Sequence, residues 1–441
     1  MKFNQEEQHL KQVLDTINTP PISDLNEKVM GRLHKKTRFT INRGLKITLA
    51  TCLCLFLSVN ILAAASPNFK ELLSLIGYQM ERYLQPINLV DEADGIKLEV
   101  LGAMNDDDTV VVYLTLQDLT GDRIDETLDI YNFTLSGARI LNMQVIDYNQ
   151  DTDTATLRLQ GNGGKMMNGK NVYLGIQSFL SDKVFYEDLD ISLDFPSLLS
   201  NEVETITLND HDASGGSGLI TMDTKAIQVL KPNILNLALP ELDFITLSNV
   251  GYINNQLHIQ IKWRDDSIDD HGYFYFVNES GEKVDILTGG VSFGVNENNE
   301  TQYGRNMEEY IFDITPEQLA TLQLKGNFVT AKQYTEGDWK VKFKLESVKD
   351  FFKQNVNIQV NENSITELSI SPLGLTLQAT APLMETDLSV SLTLKNGDLI
   401  DLSNASSMSV QDDFHMKFLL PDLIELEEIK IITINGEELE L

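Results

Sequence analysis

An uncharged run of 19 residues, Ile47–Ala65, divides this chain into two parts of unlike composition, and it constrains the fold more than any other feature. Only Thr48, Thr51, Ser58 and Asn60 interrupt its apolar and small residues. As a helix it spans roughly 28 Å, close to the ~30 Å hydrocarbon core of a bilayer. The sequence therefore predicts a single transmembrane helix over 47–65. Lys28, Arg32, Lys35, Lys36, Arg38, Arg43 and Lys46 precede the run with no acidic residue among them, and the chain turns acidic by Glu71. Basic flanks stay on the cytoplasmic side. The expected location is the cell membrane, with a cytoplasmic N-terminus and everything from about Ser66 exported. Ala63-Ala64-Ala65 offers a signal-peptidase-like site, but a signal peptide of about 15–30 residues does not carry a leader this long before its apolar core. A retained anchor is expected.

The segment 1–46 carries two short amphipathic patterns. Leu10, Val13, Leu14 and Ile17 fall at helical spacing on one face, and Thr19-Pro20-Pro21 stops that helix. Ser23 is a helix N-cap, after which Leu25, Val29 and Leu33, with Met30 beside them, form a second stripe. Pieces this short, below about 40 residues, do not bury their own stripes. A protein partner, the membrane surface or a second copy is expected to cover them, with a disordered leader as the alternative. These seven residues, Leu10, Val13, Leu14, Ile17, Leu25, Val29 and Leu33, are the candidate partner-binding set. The basic stretch beside them needs only positive-inside topology and anionic lipid.

Beyond the membrane run, 66–84 reads as a juxtamembrane helix with Phe69, Leu72, Leu73, Ile76, Met80 and Leu84 apolar, forming a stalk or packing on the first domain. From Ile96 the period becomes two. Ile96, Leu98 and Val100 alternate with Lys97 and Glu99, and Val112, Leu114 and Leu116 follow a turn at Asn105–Thr109, giving a hairpin with one solvated face. The same pattern recurs at Leu157–Leu159, Leu257–Trp263, Trp339–Leu345 and Leu388–Leu394; Asn396-Gly397 then signals a type I′ turn. Thr315-Pro316-Glu317 opens one short helix, with Thr315 as N-cap. The expected fold class is mainly β: short N-terminal helices and one transmembrane helix, then two or three antiparallel β-sandwich-like extracellular domains. A chain of 441 residues exceeds the ~250–300 residues one core sustains. Borders are placed at 85–235, 236–350 and 351–441. The polar, glycine-rich Asn209–Gly218 is a linker or a long loop, and a second break lies near Ser347–Asn355.

Charge and cysteine content exclude several functions. The net charge is −32; residues 1–46 hold nine basic and five acidic residues, or +4, so the remainder holds −36. Such a surface repels phosphate backbones, and no nucleic acid is expected as partner. The two cysteines, Cys52 and Cys54, lie inside the apolar run, which excludes a disulfide framework or a cysteine zinc site in the exterior part. Gly215-Gly216-Ser217-Gly218 fails the spacing of a nucleophile elbow, and HExxH, P-loop and GxGxxG patterns are lacking. His211, His258, His271 and His415 fall at no metal-ligand spacing. Asp147, Asn149, Asp151 and Asp153 resemble the start of a calcium loop, but Thr152 replaces its glycine and Arg158 its bidentate glutamate. This stretch, Asp106–Asp108 and the cluster of Asp265, Asp266, Asp269 and Asp270 read as solvated turns. The expectation is no enzyme, no cofactor and no metal.

The leader ending LHKKTRF, the exit NILAAASPNFKELL, the strand pair DGIKLEVLGAMNDDDTVVVYLTL and the segment SITELSISPLGLTLQA at Ser364–Ala379 carry a family resemblance. The chain resembles Gram-positive single-pass, anti-sigma-factor-like membrane proteins carrying domain of unknown function 4179 with a C-terminal β module. That resemblance implies cytoplasmic helices that hold a sigma factor and an exterior that senses the envelope. The alternative expectation is a non-enzymatic cell-surface binding or structural protein with an unknown extracellular ligand, its leader serving topology alone.

Overall fold

The computed structural model describes residues 66–441 apart from 107–108, 163–166, 201–202, 210, 220–225, 348–350, 403–404, 411–412 and 421–423. No helix among the described residues is long and apolar enough to cross a membrane. The predicted span 47–65 and the seven leader residues lie outside them.

Helix α1 (Pro67–Ile76) begins where Ser66 Oγ accepts the Phe69 amide at 3.1 Å, has Pro67 in its first turn, and ends at Gly77 with φ 96°. A 3-10 turn, Tyr78–Arg82, continues it. Phe69, Leu72, Leu73 and Met80 are buried against Leu101, Met104, Val111 and Tyr113. The helix expected over 66–84 thus packs on the first sandwich instead of standing as a stalk.

β1 (Gln85–Ala93), β2 (Ile96–Asp106) and β3 (Thr109–Asp118) form a meander; β4 (Asp129–Leu135) leaves it, and β5 (Ile140–Asn149) and β6 (Thr154–Asn162) return. Their five-stranded sheet has the order β1-β2-β3-β6-β5. The β2–β3 hairpin does not keep the solvated face expected of it. Its inner row, including Leu98, Val112 and Leu114, fills the first core, and α1 covers the outer row. Burial on both faces explains the unbroken run Val110-Val111-Val112-Tyr113-Leu114, which alternation alone does not require.

The chain then runs along β7 (Asn171–Asp190), 20 residues and roughly 66 Å, far longer than an ordinary strand. It continues through α2 (Phe195–Leu198), β8 (Thr205–Asn209), β9 (Ala213–Gly218), β10 (Ala226–Leu230), β11 (Leu237–Leu239), β12 (Leu242–Ile253), β13 (Gln256–Trp263), β14 (His271–Val277), β15 (Thr288–Val295) and β16 (Thr301–Phe312). α3 (Pro316–Leu319), with Thr315 and Gln318 forming a capping box, leads into β17 (Gln323–Lys344), 22 residues long. β17 pairs with β7 along almost its whole length, in the sheet β14-β17-β7-β4.

That sheet serves two cores. Val172, Leu174, Ile176 and Phe179 of β7 and Trp339, Val341 and Phe343 of β17 face the first sandwich. Tyr186 and Leu189 of β7 and Leu324 and Phe328 of β17 face the second, whose other layer is β11-β12-β13-β16-β15-β9. The second sandwich is therefore inserted into the first. The block expected at 236–350 is not self-contained: its Trp339 strand closes the first core, while Lys340, Lys342 and Lys344 are exposed as the alternation requires.

The stretch expected as a linker or long loop holds the last residue of β8, a turn at 211–212 and edge strand β9. Its glycines pair with the glycine-bearing β15: Gly218 with Gly289, Ser217 with Gly290, Gly216 with Val291. Propensity argues against a strand here, and a backbone partner overrides it. β8 and β10 form a ribbon over the outer face of the six-stranded sheet, where Leu208, Val229, Val291, Phe293 and Met307 make a small second core.

The last part is a sandwich of its own. β18 (Phe352–Val360), β19 (Asn363–Ser371) and β20 (Gly374–Ala379) precede β21 (Val390–Leu394), β22 (Leu399–Leu402), β23 (Ala405–Val410), β24 (Asp413–Leu419), β25 (Ile429–Ile434) and β26 (Glu437–Glu440). They form the sheets β18-β19-β20-β24-β23 and β22-β21-β25-β26 around a core that includes Leu375, Leu392, Phe418 and Ile432. At Asn396-Gly397 only the glycine has positive φ, so that turn is not type I′. Asn435-Gly436, with φ of 49° and 84°, has the positive pair that type I′ needs. This sandwich docks on the first through Leu373 beside α1 and through the nearly buried Lys417, whose Nζ is 2.6 Å from Asp106 Oδ2. Arg82 adds ion pairs to Glu425 and Glu427 at 3.3 and 2.7 Å.

Candidate functional site: an aromatic cleft in the second sandwich

Alternation on β16 places Glu308, Tyr310 and Phe312 on the inner face of the six-stranded sheet. Met307 and Glu309 face the ribbon side. Cross-strand register sets Ser292 opposite Glu308, Gly290 opposite Tyr310 and Thr288 opposite Phe312; on β9, Ser217 lies opposite Gly290. Elsewhere this face is large and apolar, with Phe244, Ile259 and Ile261. Here it is glycine, hydroxyl and carboxylate. The facing sheet ends at β14, so β15 and β9 overhang it. The resulting cleft, about 550 Å³, is lined by Tyr273–Phe276 of β14, by Lys283–Ile286, which run beside β14 with the Val284 amide donating to the Phe276 carbonyl, and by Ser217, Gly290, Glu308 and Tyr310 of the six-stranded sheet.

Its side chains are held in place. Tyr310 donates to the Gly272 carbonyl at 2.9 Å and packs edge-on against Phe274, with centroids 5.1 Å apart; burial raises its phenol well above the ordinary range. Tyr275 donates to Asp188, and burial followed by that hydrogen bond pushes its phenol up to about 12. Tyr273, 48% exposed, accepts from Asn327 Nδ2 at 2.9 Å, and its ring centroid is 6.1 Å from that of Tyr275. The Lys283 ammonium lies over both rings, 5.7 and 5.2 Å from their centroids, in cation–π geometry. Glu308 Oε2 accepts from the Ser292 hydroxyl at 2.7 Å. Burial raises its carboxyl above the ordinary value against the lowering effect of Ser292 and of the Arg305 charge. The cleft thus offers hydroxyls and a partly desolvated acceptor, while alternation with the inward Phe274 and Phe276 puts the Tyr273 and Tyr275 rings, under Lys283, on the outer face of β14.

The other polar clusters are structural in their geometry. Glu309 and His258 are buried, with His258 Nδ1 2.7 Å from Glu309 Oε1; the acceptor-only carboxylate assigns the proton to Nδ1. Gln260 Nε2 donates to Glu309 Oε2 at 2.8 Å and the Leu230 amide to the same oxygen at 3.0 Å, so the carboxylate holds β10 to the sheet. The aspartates 265–270 are neutralised by basic neighbours. Arg264 pairs with Asp270 at 2.9 Å and Asp266 at 3.4 Å, Lys262 with Asp265 at 3.2 Å, and Lys183 with Asp269 at 3.6 Å. The calcium-like stretch is the β5–β6 turn, in which Asn149 Oδ1 accepts the Asp151 amide at 3.0 Å and Asp153 has φ 47°. No group of three acidic, histidine or cysteine side chains among the described residues could hold a metal.

Sequence reasoning proposed no residue of the cleft, and the structure describes none of the seven leader residues it did propose. A signal existed at Glu308-Glu309: adjacent carboxylates in a strand occupy opposite faces, so one of them must enter a sandwich interior.

No family model matches the chain, and no curated protein matches it. Among solved structures it is similar to the crystal structure of the conserved domain protein from Bacillus anthracis, at 8% identity over 82% of this chain and 92% of that one. The TM-score is 0.21, too low to transfer a fold or a site.

Proposed function

We propose that this chain is a membrane-anchored, non-enzymatic binding protein whose β-rich exterior takes an extracellular ligand in the cleft of its second sandwich. The observation that carries this is the overhang: a concave site, within the roughly 300–1,000 Å³ of small-molecule pockets, floored by glycine, hydroxyls and a partly desolvated carboxylate where a sandwich interior is otherwise apolar. The 19-residue run supplies the anchor in this reading. The test is photo-crosslinking of the full chain in native-host membranes, with a benzoyl-phenylalanine at Ser217 and, as control, at Tyr131, which is likewise exposed, on β4. An envelope adduct specific to position 217 is expected. Equal adducts at both positions, or none at 217, sink the cleft as a ligand site.

A second reading adds a cytoplasmic output, and the two apolar stripes of the leader favour it. Leu10, Val13, Leu14 and Ile17, with Leu25, Val29 and Leu33, would then hold a sigma factor, released or retained according to the state outside. A pull-down with the full chain compares wild type with the Leu10→Asp, Leu14→Asp, Val29→Asp variant. Recovery of a sigma factor by the wild type alone supports the regulator; recovery by neither leaves a surface protein.

A further inference from the structure

The five-stranded sheet of the first sandwich ends at β5, whose far edge has no strand beside it among the described residues. Protein sheets usually blunt such an edge with lysine, proline or clustered charge, or cover it with another segment. Elsewhere in this chain they do: β18 carries Lys353, β26 carries Glu437, Glu438 and Glu440, and the Val284 amide bonds to the Phe276 carbonyl at the edge of β14. β5 is ten residues long, and Asp147 is its only charge. Ile140 is 55% exposed, and the core-facing Leu141, Met143 and Val145 are only partly buried against the first core. We infer that this edge docks a second copy of the chain, β5 against β5, about a two-fold axis at Met143.

The edge is chemically its own complement. Residues 139–147 read RILNMQVID. Antiparallel pairing centred on Met143 sets Ile140 against Ile146, Leu141 against Val145 and Asn142 against Gln144, and it brings Arg139 of each copy to Asp147 of the other. Leu141, Met143 and Val145 lie on the core face, Asn142 and Gln144 on the outer one, so each pair shares a face. The bulge between Val145 and Asp147 leaves Ile146 on the outer face, packed beside α1. A centre at Asn142 would set Ile140 against Gln144, and a centre at Gln144 would set Leu141 against Asp147. Only the Met143 register matches apolar with apolar, amide with amide and cation with anion. Among the described residues neither Arg139, which is exposed, nor Asp147 forms an ion pair within the chain. Pairing joins two five-stranded sheets edge to edge, and each half-covered row of Leu141, Met143 and Val145 covers the other.

The test is disulfide cross-linking of the full chain in intact cells of the native host, with Cys52→Ser and Cys54→Ser so that an introduced thiol is the only one. Chains bearing Asn142→Cys and Gln144→Cys are co-expressed and oxidised. A disulfide between the two chains is expected, at about tenfold or more the yield of either variant alone, because like positions lie diagonally at roughly 7–8 Å, beyond disulfide reach. Met143→Cys, on the axis, should link to its own copy. Adding Asn142→Lys with Gln144→Lys sets like charges opposite and should lower that yield about tenfold, whereas Asn142→Lys with Gln144→Glu sets opposite charges together and should restore it. An unchanged Trp339 emission spectrum of each purified variant shows that the first sandwich is folded. Absence of the 142–144 disulfide overturns the inference. Equal linking by the single and the mixed variants overturns the register and the two-fold contact with it. A Met143→Cys link that the paired lysines do not weaken places the contact on another surface and overturns the inference as well.

Discussion

If β7 and β17 are continuous through two cores, damage to the first sandwich must be felt in the second. The perturbation is Phe179→Ala. Phe179 is fully buried in the first core, with its ring 5.8 Å from Trp339, and removing such a ring costs about 3–5 kcal/mol. The chain has two tryptophans, Trp339 in the first core and Trp263 in the second, where it stacks on Phe244 at 6.3 Å. Replacing either by phenylalanine leaves a single reporter for each sandwich. With a urea m-value of about 3 kcal/mol/M, the upper end for small proteins, the midpoint should fall by about 1–2 M. Shared strands predict the same fall by both reporters, because Tyr186, Leu189, Leu324 and Phe328 lose their backbone support when the other halves of β7 and β17 detach. A Trp339 transition that moves while the Trp263 transition stays in place would refute the reasoning, since the two sandwiches would then fold independently across a strand boundary.

Two further outcomes follow from buried carboxylates. Asp118, whose side chain is fully buried, accepts from Arg123 Nε and Nη2 at 2.9 and 2.8 Å and from the Thr120 and Arg123 amides at 3.0 Å. Burial alone would raise its carboxyl, yet these bonds hold it well below the usual carboxylate range. Its contribution to stability is therefore complete above the unfolded value of about 3.9 and is lost as pH falls below that toward the folded value. Asp118→Asn should cost about 2–3 kcal/mol at neutral pH, less than a fully buried pair because Arg123 is 23% exposed, and should flatten the acid limb of the stability curve between pH 5 and 2. Glu309→Gln puts an N–H among three donors, the Leu230 amide, Gln260 Nε2 and His258 Nδ1. The expected loss is about 2–4 kcal/mol with faster hydrogen exchange at the Leu230 amide, whereas unchanged exchange there would separate the carboxylate from the docking of β10.

Strands betrayed by alternation are where the pattern puts them: Leu257, Ile259 and Ile261 share one core face of β13, and Trp339, Val341 and Phe343 one face of β17. The Thr315–Gln318 cap is equally local and was equally legible. Three features were not local. The order of strands in space is absent from a period-two pattern, so nothing in the residues around Trp339 tells that they close a core begun at Ile96 and not the one just completed at Phe328. The β9 glycines become a strand because β15 offers them a backbone partner, with Gly218 opposite Gly289, Gly216 opposite Val291 and Gly215 opposite Ser292. The outer face of β2–β3 is dry because α1 lies on it, and a helix contributes that cover from outside the hairpin.

The cleft arises from the same kind of non-local cause, an inequality between layers. A six-stranded sheet faces a sheet of which only part, ending at β14, belongs to the second sandwich, because the rest is spent on the first core. Two strands must therefore overhang, and their inner positions cannot remain large and apolar without exposing that surface to water. Gly290, Ser292 and Ser217 meet this condition by being small or polar, and Glu308 meets it by accepting from the Ser292 hydroxyl. Insertion of one sandwich into the other thus creates both the length of β7 and β17 and the uncovered floor of the cleft. A chain in which each sandwich had its own complete sheets would have covered β15 with a further strand, and Glu308 would then have been a buried, unpaired charge.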